Sequence, residues 1–446
     1  MFLETAPTYL ALLQKLGPET ATRTLAKVGV TRDADRYLHW DKLRRLEPPD
    51  GLTSEEWWLA ILATRTSEKR LLPLTDASGS PFSFGLPDLV LKHIHYIDQR
   101  CSGEVAMDEV VTSEQEAGKR FLVNSLMEEA IRSSQLEGAT TSRVVAKEML
   151  RSGRKPKDRS ERMIANNFRA LEFVSDEMGP RLSMESILEL HRILTEGTLD
   201  DPAAAGRLQR PGEERVAVYD RDDGQPIHKP PPAEQLPERM ELLCRFANES
   251  TGDSKFVHPV LRAILLHFWL AYDHPFEDGN GRTARILFFW KMHVEGYWLA
   301  EYLPISRLIR KAPARYARAF LETETDDGDT TYFLLHQLKI IEKAIEDLHI
   351  YLQRKIAEAR DVDSLLHGDG ELNGRQLALL TDAVRNAAAT YSFESHATSH
   401  RVSHETARSD LRALADRGLL VKKRQGRKHV FEPAPDLPER LRESGK

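Results

Sequence analysis

Apolar residues recur at three- and four-residue spacings over a series of long stretches, at 118–137, 160–178, 183–196, 234–247, 260–272, 282–295, 312–322 and 332–358. That period puts them on one helical face, so the middle of the chain is predicted to be an all-α bundle. One segment breaks the rhythm. Residues 215–219 (Arg-Val-Ala-Val-Tyr) alternate, residues 220–224 end in Asp-Gly, and Pro226, Ile227, His228 and Lys229 lead into a proline run. Alternation, a turn dipeptide and non-helical prolines suit a hairpin or extended flap, a solvated linker being the alternative. Before about residue 103, Pro48, Pro49, Gly51, Gly79, Pro81 and Pro87 punctuate a mixed region. Past residue 368 the pattern changes to a helix, a turn at 392–396, helices at 398–402 and 403–417, and a hairpin over 419–432 that turns at Gln425 and Gly426. The resulting plan is an accessory domain at 1–104, a helical core at 105–358 and a small α+β domain at 368–435.

Length and composition narrow the class. A chain of 446 residues is long enough for two or three cores. With 41% hydrophobic residues, 30% charged residues and a formal net charge of -6, it is neither disordered nor a wholesale nucleic-acid binder. Two cysteines, Cys101 and Cys244, make no disulfide framework or zinc site and fit a reducing cytoplasm. The N-terminus lacks a secretory pattern and no run nears the ~18 apolar residues of a membrane span, so no membrane partner is expected.

The most informative segment is His274-Pro-Phe-Glu-Asp-Gly-Asn-Gly-Arg-Thr-Ala-Arg285. Pro275 disfavours helical geometry at His274, which therefore ends the preceding helix beside a loop. Gly279 and Gly281 free the backbone and Asn280 tolerates left-handed geometry, so successive amides can converge as an anion nest. The helix that follows adds free N–H groups and the positive end of its dipole. Arg282 and Arg285 fall in its first turn, where a cation is disfavoured, and two such violations on one face point to a chain of phosphates between them. Asp278 stands beside the nest, suited to a Mg²⁺ ion bridging phosphates. A histidine at that distance from a phosphate reads as a general base for an attacking hydroxyl, against the bland reading of an ordinary helix-end residue.

This string resembles the signature of the Fic (filamentation induced by cAMP) family at every defining position. The likeness extends to His258-Pro259, the flap at Ile227, His228 and Lys229, and Gly296-Tyr297 with the segment 304–309, covering about half the chain. The resemblance implies a Fic-type helical bundle that transfers AMP from ATP to a Ser, Thr or Tyr hydroxyl of a protein, itself included. His274 would be the base, Asp278 the Mg²⁺ ligand, Gly279, Asn280 and Gly281 the α/β-phosphate cradle, and Arg282 and Arg285 the hold on the β- and γ-phosphates. The flap would pin the target as an added strand. A kinase-like branch has Lys where Gly281 stands, so the glycine favours nucleotide transfer. Family members often form homodimers, although no diagnostic patch marks one here.

Upstream, the helix ending at Gly138 carries Ser133 and Glu137 four residues apart and so on one face. A glutamate at a helix end is ordinarily solvated. The string Ser133-Ser-Gln-Leu-Glu137-Gly138 is nevertheless similar to the family's inhibitory motif, placed as in its class with an N-terminal inhibitory helix. On that likeness Glu137 pairs with Arg285 and takes the place of the γ-phosphate, and in some relatives the same glutamate supports removal of AMP.

Two helices and a basic hairpin at the C-terminus look like a winged helix-turn-helix with Ser403 capping its second helix. Ser403, His404, Thr406 and Arg408 would face a duplex DNA groove, and Lys422, Lys423, Arg424, Arg427 and Lys428 would meet phosphates. A wing that binds protein is the alternative. The whole chain thus reads as a self-inhibited AMP transferase, or else as a DNA-binding transcriptional regulator with a nucleotide-sensing core. A vestigial adaptor is disfavoured because no catalytic position is substituted.

Overall fold

The computed structural model describes residues 3–26, 36–101, 115–216, 218–219, 226–249, 256–367, 372–386, 389–400, 402–425 and 428–444. They fall into two compact units, Met1–Leu348 and His349–Lys446.

The first unit opens with helices α1 (Tyr9–Leu25), α2 (Trp40–Leu43) and α3 (Ser54–Glu68), the antiparallel pair β1 (Arg70–Thr75) and β2 (Pro81–Phe84), and α4 (Asp88–Cys101). Helix α3 starts at a capping box in which Thr53 and Glu56 satisfy each other's backbone N–H groups. The aromatic clusters at 39–43 and 55–59 pack inward, where Trp40, Trp57 and Trp58 join Leu12, Leu43 and Ile61 in one apolar core. This region is stitched to later residues: Tyr37 Oη donates to Asp329 Oδ2 at 2.7 Å, Arg65 donates to Tyr332 Oη at 2.8 Å, and Ala6 N donates to Thr325 O at 2.7 Å. The expected accessory region and the core therefore share one compact unit.

Helices α5 (Gln115–Leu136), α6 (Arg143–Ser152), α7 (Arg159–Asp176) and α8 (Met184–Thr195) follow, then the flap strands β3 (Val218–Tyr219) and β4 (Pro226–His228), which pair antiparallel. After them come α9 (Leu236–Asn248), α10 (Pro259–Asp273), α11 (Asn280–Val294), α12 (Ile305–Lys311), α13 (Pro313–Glu324) and α14 (Thr331–His367). The stretches with helical periodicity all became helices. Asp158 and Ser183 accept the first free N–H groups of α7 and α8, as residue types favoured at N-caps should. Helices α6 and α12 were not anticipated. They are short, and segments of that length give periodicity little room to show.

Helices α10 and α11 pack against each other at the centre, and α5, α7 and α8 pack against α11. Val260 to Leu270 and Arg282 to Met292 are buried without a break, so neither helix keeps a solvent face. That burial fixes the short loop joining them.

The second unit holds α15 (Gly374–Arg385), α16 (Phe393–His400), α17 (His404–Asp416), the antiparallel pair β5 (Leu420–Gln425) and β6 (Lys428–Pro433), and α18 (Leu437–Ser444) around Leu380, Leu411, Leu414, Phe431 and Leu441. Residues 393–396, expected as a turn, are the first turn of α16. Ser392 and Ser395 exchange hydrogen bonds there in the manner of a helix cap. Tyr391 pairs with Phe431, adding a third short stretch of backbone to the hairpin. The buried Asp410 gathers Asn373, Arg375 and His396, and these bonds outweigh the upward push of burial to hold its carboxyl at about 2.

One ion pair anchors the end of α10. Asp273, wholly buried, receives Arg239 at 2.6 Å and Trp269 Nε1 at 3.0 Å. Replacing Arg239 by Met strands that carboxylate, so a stability loss of about 3–5 kcal/mol is expected in denaturant melts followed by tryptophan fluorescence.

Candidate active site

His274 caps α10 with φ 45° and ψ 54°, a left-handed conformation that is uncommon outside glycine. Pro275 blocks the right-handed alternative, and the His274 N–H closes the helix on Leu270 O at 3.0 Å. Asn280 then fastens the loop. Its Oδ1 accepts from Phe276 N at 2.9 Å and its Nδ2 donates to Phe276 O at 2.8 Å. These two bonds fix which end of the amide is nitrogen. The same Nδ2 lies 3.2 Å from His274 Nδ1, and an amide nitrogen can only donate, so Nδ1 presents its lone pair and the neutral ring carries its proton on Nε2. Burial, helped by His228, lowers the His274 pKa to about 4, leaving the ring neutral at pH 7.

The loop is held from below by a residue that sequence reasoning missed. His191 on α8 lies against the Phe276 ring, centroids 3.8 Å apart and nearly parallel. Its Nδ1 accepts from Gly206 N at 3.0 Å, so its Nε2 is the donor to Asp278 O at 2.9 Å. Gly279 caps α11 with φ 84°, and a side chain there would also crowd Thr195 at 3.0 Å. No local pattern marks His191, which sits in an ordinary amphipathic helix and meets the loop only through the fold.

Asp278 remains 39% exposed, with one oxygen on Gly279 N at 2.6 Å and the other 3.3 Å from Arg282. Arg282 is fully buried. It donates to Leu194 O at 3.1 Å, and its Nε has no hydrogen-bond partner among the described residues. Its charge thus lies inside the protein beneath the nest. Among the described residues there is no cluster of three or more His, Cys, Asp or Glu side chains that could hold a metal ion.

Arg285, by contrast, is gripped by α5. Its Nε donates to Ser133 Oγ at 2.9 Å, and one terminal nitrogen donates to Ser133 O at 3.1 Å and to Glu137 Oε1 at 2.7 Å. The two motifs singled out in the sequence, more than a hundred residues apart, therefore meet. A methyl group placed on Gly281 would stand only 2.3 Å from Glu137 Oε1, so the carboxylate rests directly over the first turn of α11. This is the position where a helix N-terminus attracts an anion. Further along α5, Glu129 accepts from Ser306 N at 3.0 Å and from its hydroxyl, fastening the helix to α12.

The flap residues divide. His228 is turned inward, with Nδ1 3.0 Å from Glu324 and Nε2 2.7 Å from Tyr272 O. Lys229 follows β4 and is exposed, and Ile227 is a backbone member of that strand. In the second unit, Ser403 caps α17 by accepting from Thr406 N, Arg408 lies over Phe393, and Lys423 pairs with Glu432 at 2.5 Å. Lys422 and Arg424 are exposed on β5, Lys428 begins β6, and His404 opens α17. Arg427 and the expected turn residues 220–224 lie outside the described residues.

Residues 181–291, which span α8 through most of α11 and include the loop, match the Fic/DOC family. The chain therefore contains a Fic/DOC domain over these residues. The protein adenylyltransferase Fic of Nematostella vectensis is 29% identical over 177 residues, covering 38% of this chain and 38% of that protein. The protein adenylyltransferase Fic of Drosophila ananassae is 34% identical over 116 residues, covering 26% of this chain and 20% of that protein. The chain thus spans well under half the length of these relatives. A crystal structure of a Fic family protein from Desulfovibrio desulfuricans G20 superposes with a TM-score of 0.54 at 18% identity, covering 78% of this chain and 97% of that one, which shows a common fold. Among the described residues no helix is long and apolar enough to cross a membrane.

The Fic loop makes a direct electrostatic prediction. In a histidine NMR titration with the His274 signal assigned by its loss in His274→Gln, the ring should stay neutral down to about pH 5. A midpoint near the ordinary value of about 6.5 would show that the loop is open to water.

Proposed function

We propose that this protein transfers AMP from ATP to a Ser, Thr or Tyr hydroxyl of a protein, itself included, and that Glu137 restrains the reaction through Arg285. The observation that carries the reading is the Glu137 carboxylate lying on Arg285 over the N-terminus of α11. A negative group already occupies the place the nest offers to phosphate, and the chain itself supplies it.

With Glu137 withdrawn, Arg285 and the amides around Gly281 are released for the far end of a triphosphate, while the buried charge of Arg282 adds positive potential beneath it. The target hydroxyl attacks the α-phosphorus and gives its proton to the neutral imidazole of His274, whose lone pair at Nδ1 then leaves the Asn280 amide. The bond from the α-phosphorus to the bridging oxygen breaks and pyrophosphate departs. Asp278, a half-exposed carboxylate, would hold a Mg²⁺ ion, which would neutralise phosphate charge. The flap would hold an extended target segment along a strand edge, with His228 anchoring it on Tyr272 and Glu324.

In the second unit, three helices and a hairpin with exposed Lys422 and Arg424 support a winged helix-turn-helix that meets duplex DNA. A transcriptional regulator built on a nucleotide-sensing core is accordingly the second reading. Cytoplasmic placement and a homodimer are part of the same proposal. So is the division into domains at 1–104, 105–358 and 368–435.

Two experiments test these readings. Intact-mass spectrometry after incubation with Mg-ATP should show little adduct on the wild type, an adenylyl mass on Glu137→Gly with the rate raised about tenfold or more, and none when His274→Ala is added. Equal labelling of wild type and Glu137→Gly would remove the brake from the account. Separately, gel shifts with duplex DNA should weaken steeply with added salt and be unchanged by His274→Ala, whereas absence of any shift at low salt would assign the wing to a protein partner.

A further inference from the structure

His274 holds a left-handed backbone conformation that a residue other than glycine rarely keeps, so something must over-determine it. The N–H side is accounted for by Leu270. On the carbonyl side, three successive groups face one strap of chain that precedes the flap. Asp273 O and His274 O both accept from a terminal nitrogen of Arg215, at 2.7 and 3.2 Å, and Pro275 O accepts from Gln209 N at 2.9 Å.

The rest of the same guanidinium is turned the other way. Its Nε donates to Pro231 O at 2.8 Å, on the return arm of the flap, and its second terminal nitrogen donates to the Gln209 side chain. Arg215 itself precedes β3, so it belongs to the outgoing arm. One planar fork therefore ties together both arms of the hairpin and the end of the helix that presents the histidine. The carbonyls it meets are those that α10 leaves unpaired at its C-terminus, where a cation is also favoured by the helix dipole.

We infer that Arg215 is a positioning residue that couples the seat of the flap to the orientation of His274. This inference rests on the AMP-transfer reading for its consequence in catalysis, though the bridge itself is a property of the fold. A flap loaded with a target segment would press on the Pro231 arm. Through the guanidinium that load bears on the carbonyls of Asp273 and His274, so a well-seated target and a correctly aimed imidazole come together. Lysine cannot reproduce the arrangement, because it offers three donors from one point where the site uses donors from all three nitrogens of a rigid plane.

The test compares Arg215→Lys and Arg215→Met with the parent in two measurements. Hydrogen exchange read by mass spectrometry needs no turnover: both variants should speed exchange in peptides covering 270–276 and in those covering 226–232, with the rest of the chain unchanged. Loosening of neither segment, or of one alone, overturns the coupling. Kinetics are then read in the Glu137→Gly background. There Arg215→Lys should lower kcat about tenfold or more with KM for ATP unaltered, as misplacement of a reacting group does. In Arg215→Met, which also removes the positive charge, the acid limb should move to higher pH. Burial, then His228 and Arg215, depress the His274 pKa, Glu137 and Asp278 raise it, and Glu137 is absent from both enzymes compared. A kcat equal to the parent, or a rise in KM with kcat kept, overturns the positioning role. If Glu137→Gly itself carries no adenylyl mass, the AMP-transfer reading falls, and the exchange data alone still decide the bridge.

Discussion

The N-terminus of α11 is a site that needs a negative charge, and the architecture around it is arranged by which group supplies one. Loop geometry at Gly279 and Gly281 clears the approach, the helix contributes its unpaired amides, and Arg285 adds a guanidinium. In this structure the charge comes from Glu137, just past the C-terminal end of α5. The closeness of that carboxylate to Gly281 leaves no room for a side chain there.

Glu137 is not the only residue that holds this end of α5 to the site. Ser133 engages the same arginine from one turn earlier, and Glu129, a further turn back, is anchored on Ser306. These three residues lie at four-residue intervals on one face of α5, so the helix is fastened along its length and not only at its tip. Releasing Glu137 is then a local event at an exposed end, because the segment behind it stays packed. The buried histidine is prepared in the opposite sense: low dielectric keeps it neutral, the state a base requires, without any charged partner in direct contact.

Much of this was legible because the residues proposed to meet phosphate are contiguous. His274 through Arg285 form one segment, and proline, glycine and charge at a helix start each leave a local sign of what the backbone must do. The helices of the bundle were equally readable from their apolar period. The meeting of Ser133 and Glu137 with Arg285 was different, since only family likeness suggested it and residue patterns alone left Glu137 solvated. His191 and Arg215 gave no sign at all. Each acts by bonding a backbone carbonyl far away in sequence, and a carbonyl carries no residue identity from which to infer a partner. His228 was read as part of a flap that pins a target as an added strand, and the fold turns its ring inward onto Tyr272 and Glu324. The turn expected at 392–396 proved helical because two serines cap a helix as readily as they make a turn.

The central claim is that Glu137 and the end of a triphosphate compete for Arg285. A crystal structure of Glu137→Gly with Mg²⁺ and a non-hydrolysable ATP analogue tests it most directly. The account predicts the terminal phosphate on Arg285 over Gly281, with the α-phosphorus facing the imidazole of His274. Phosphates bound elsewhere while Arg285 stays on Ser133 alone, or an imidazole turned away from the α-phosphorus, would contradict it.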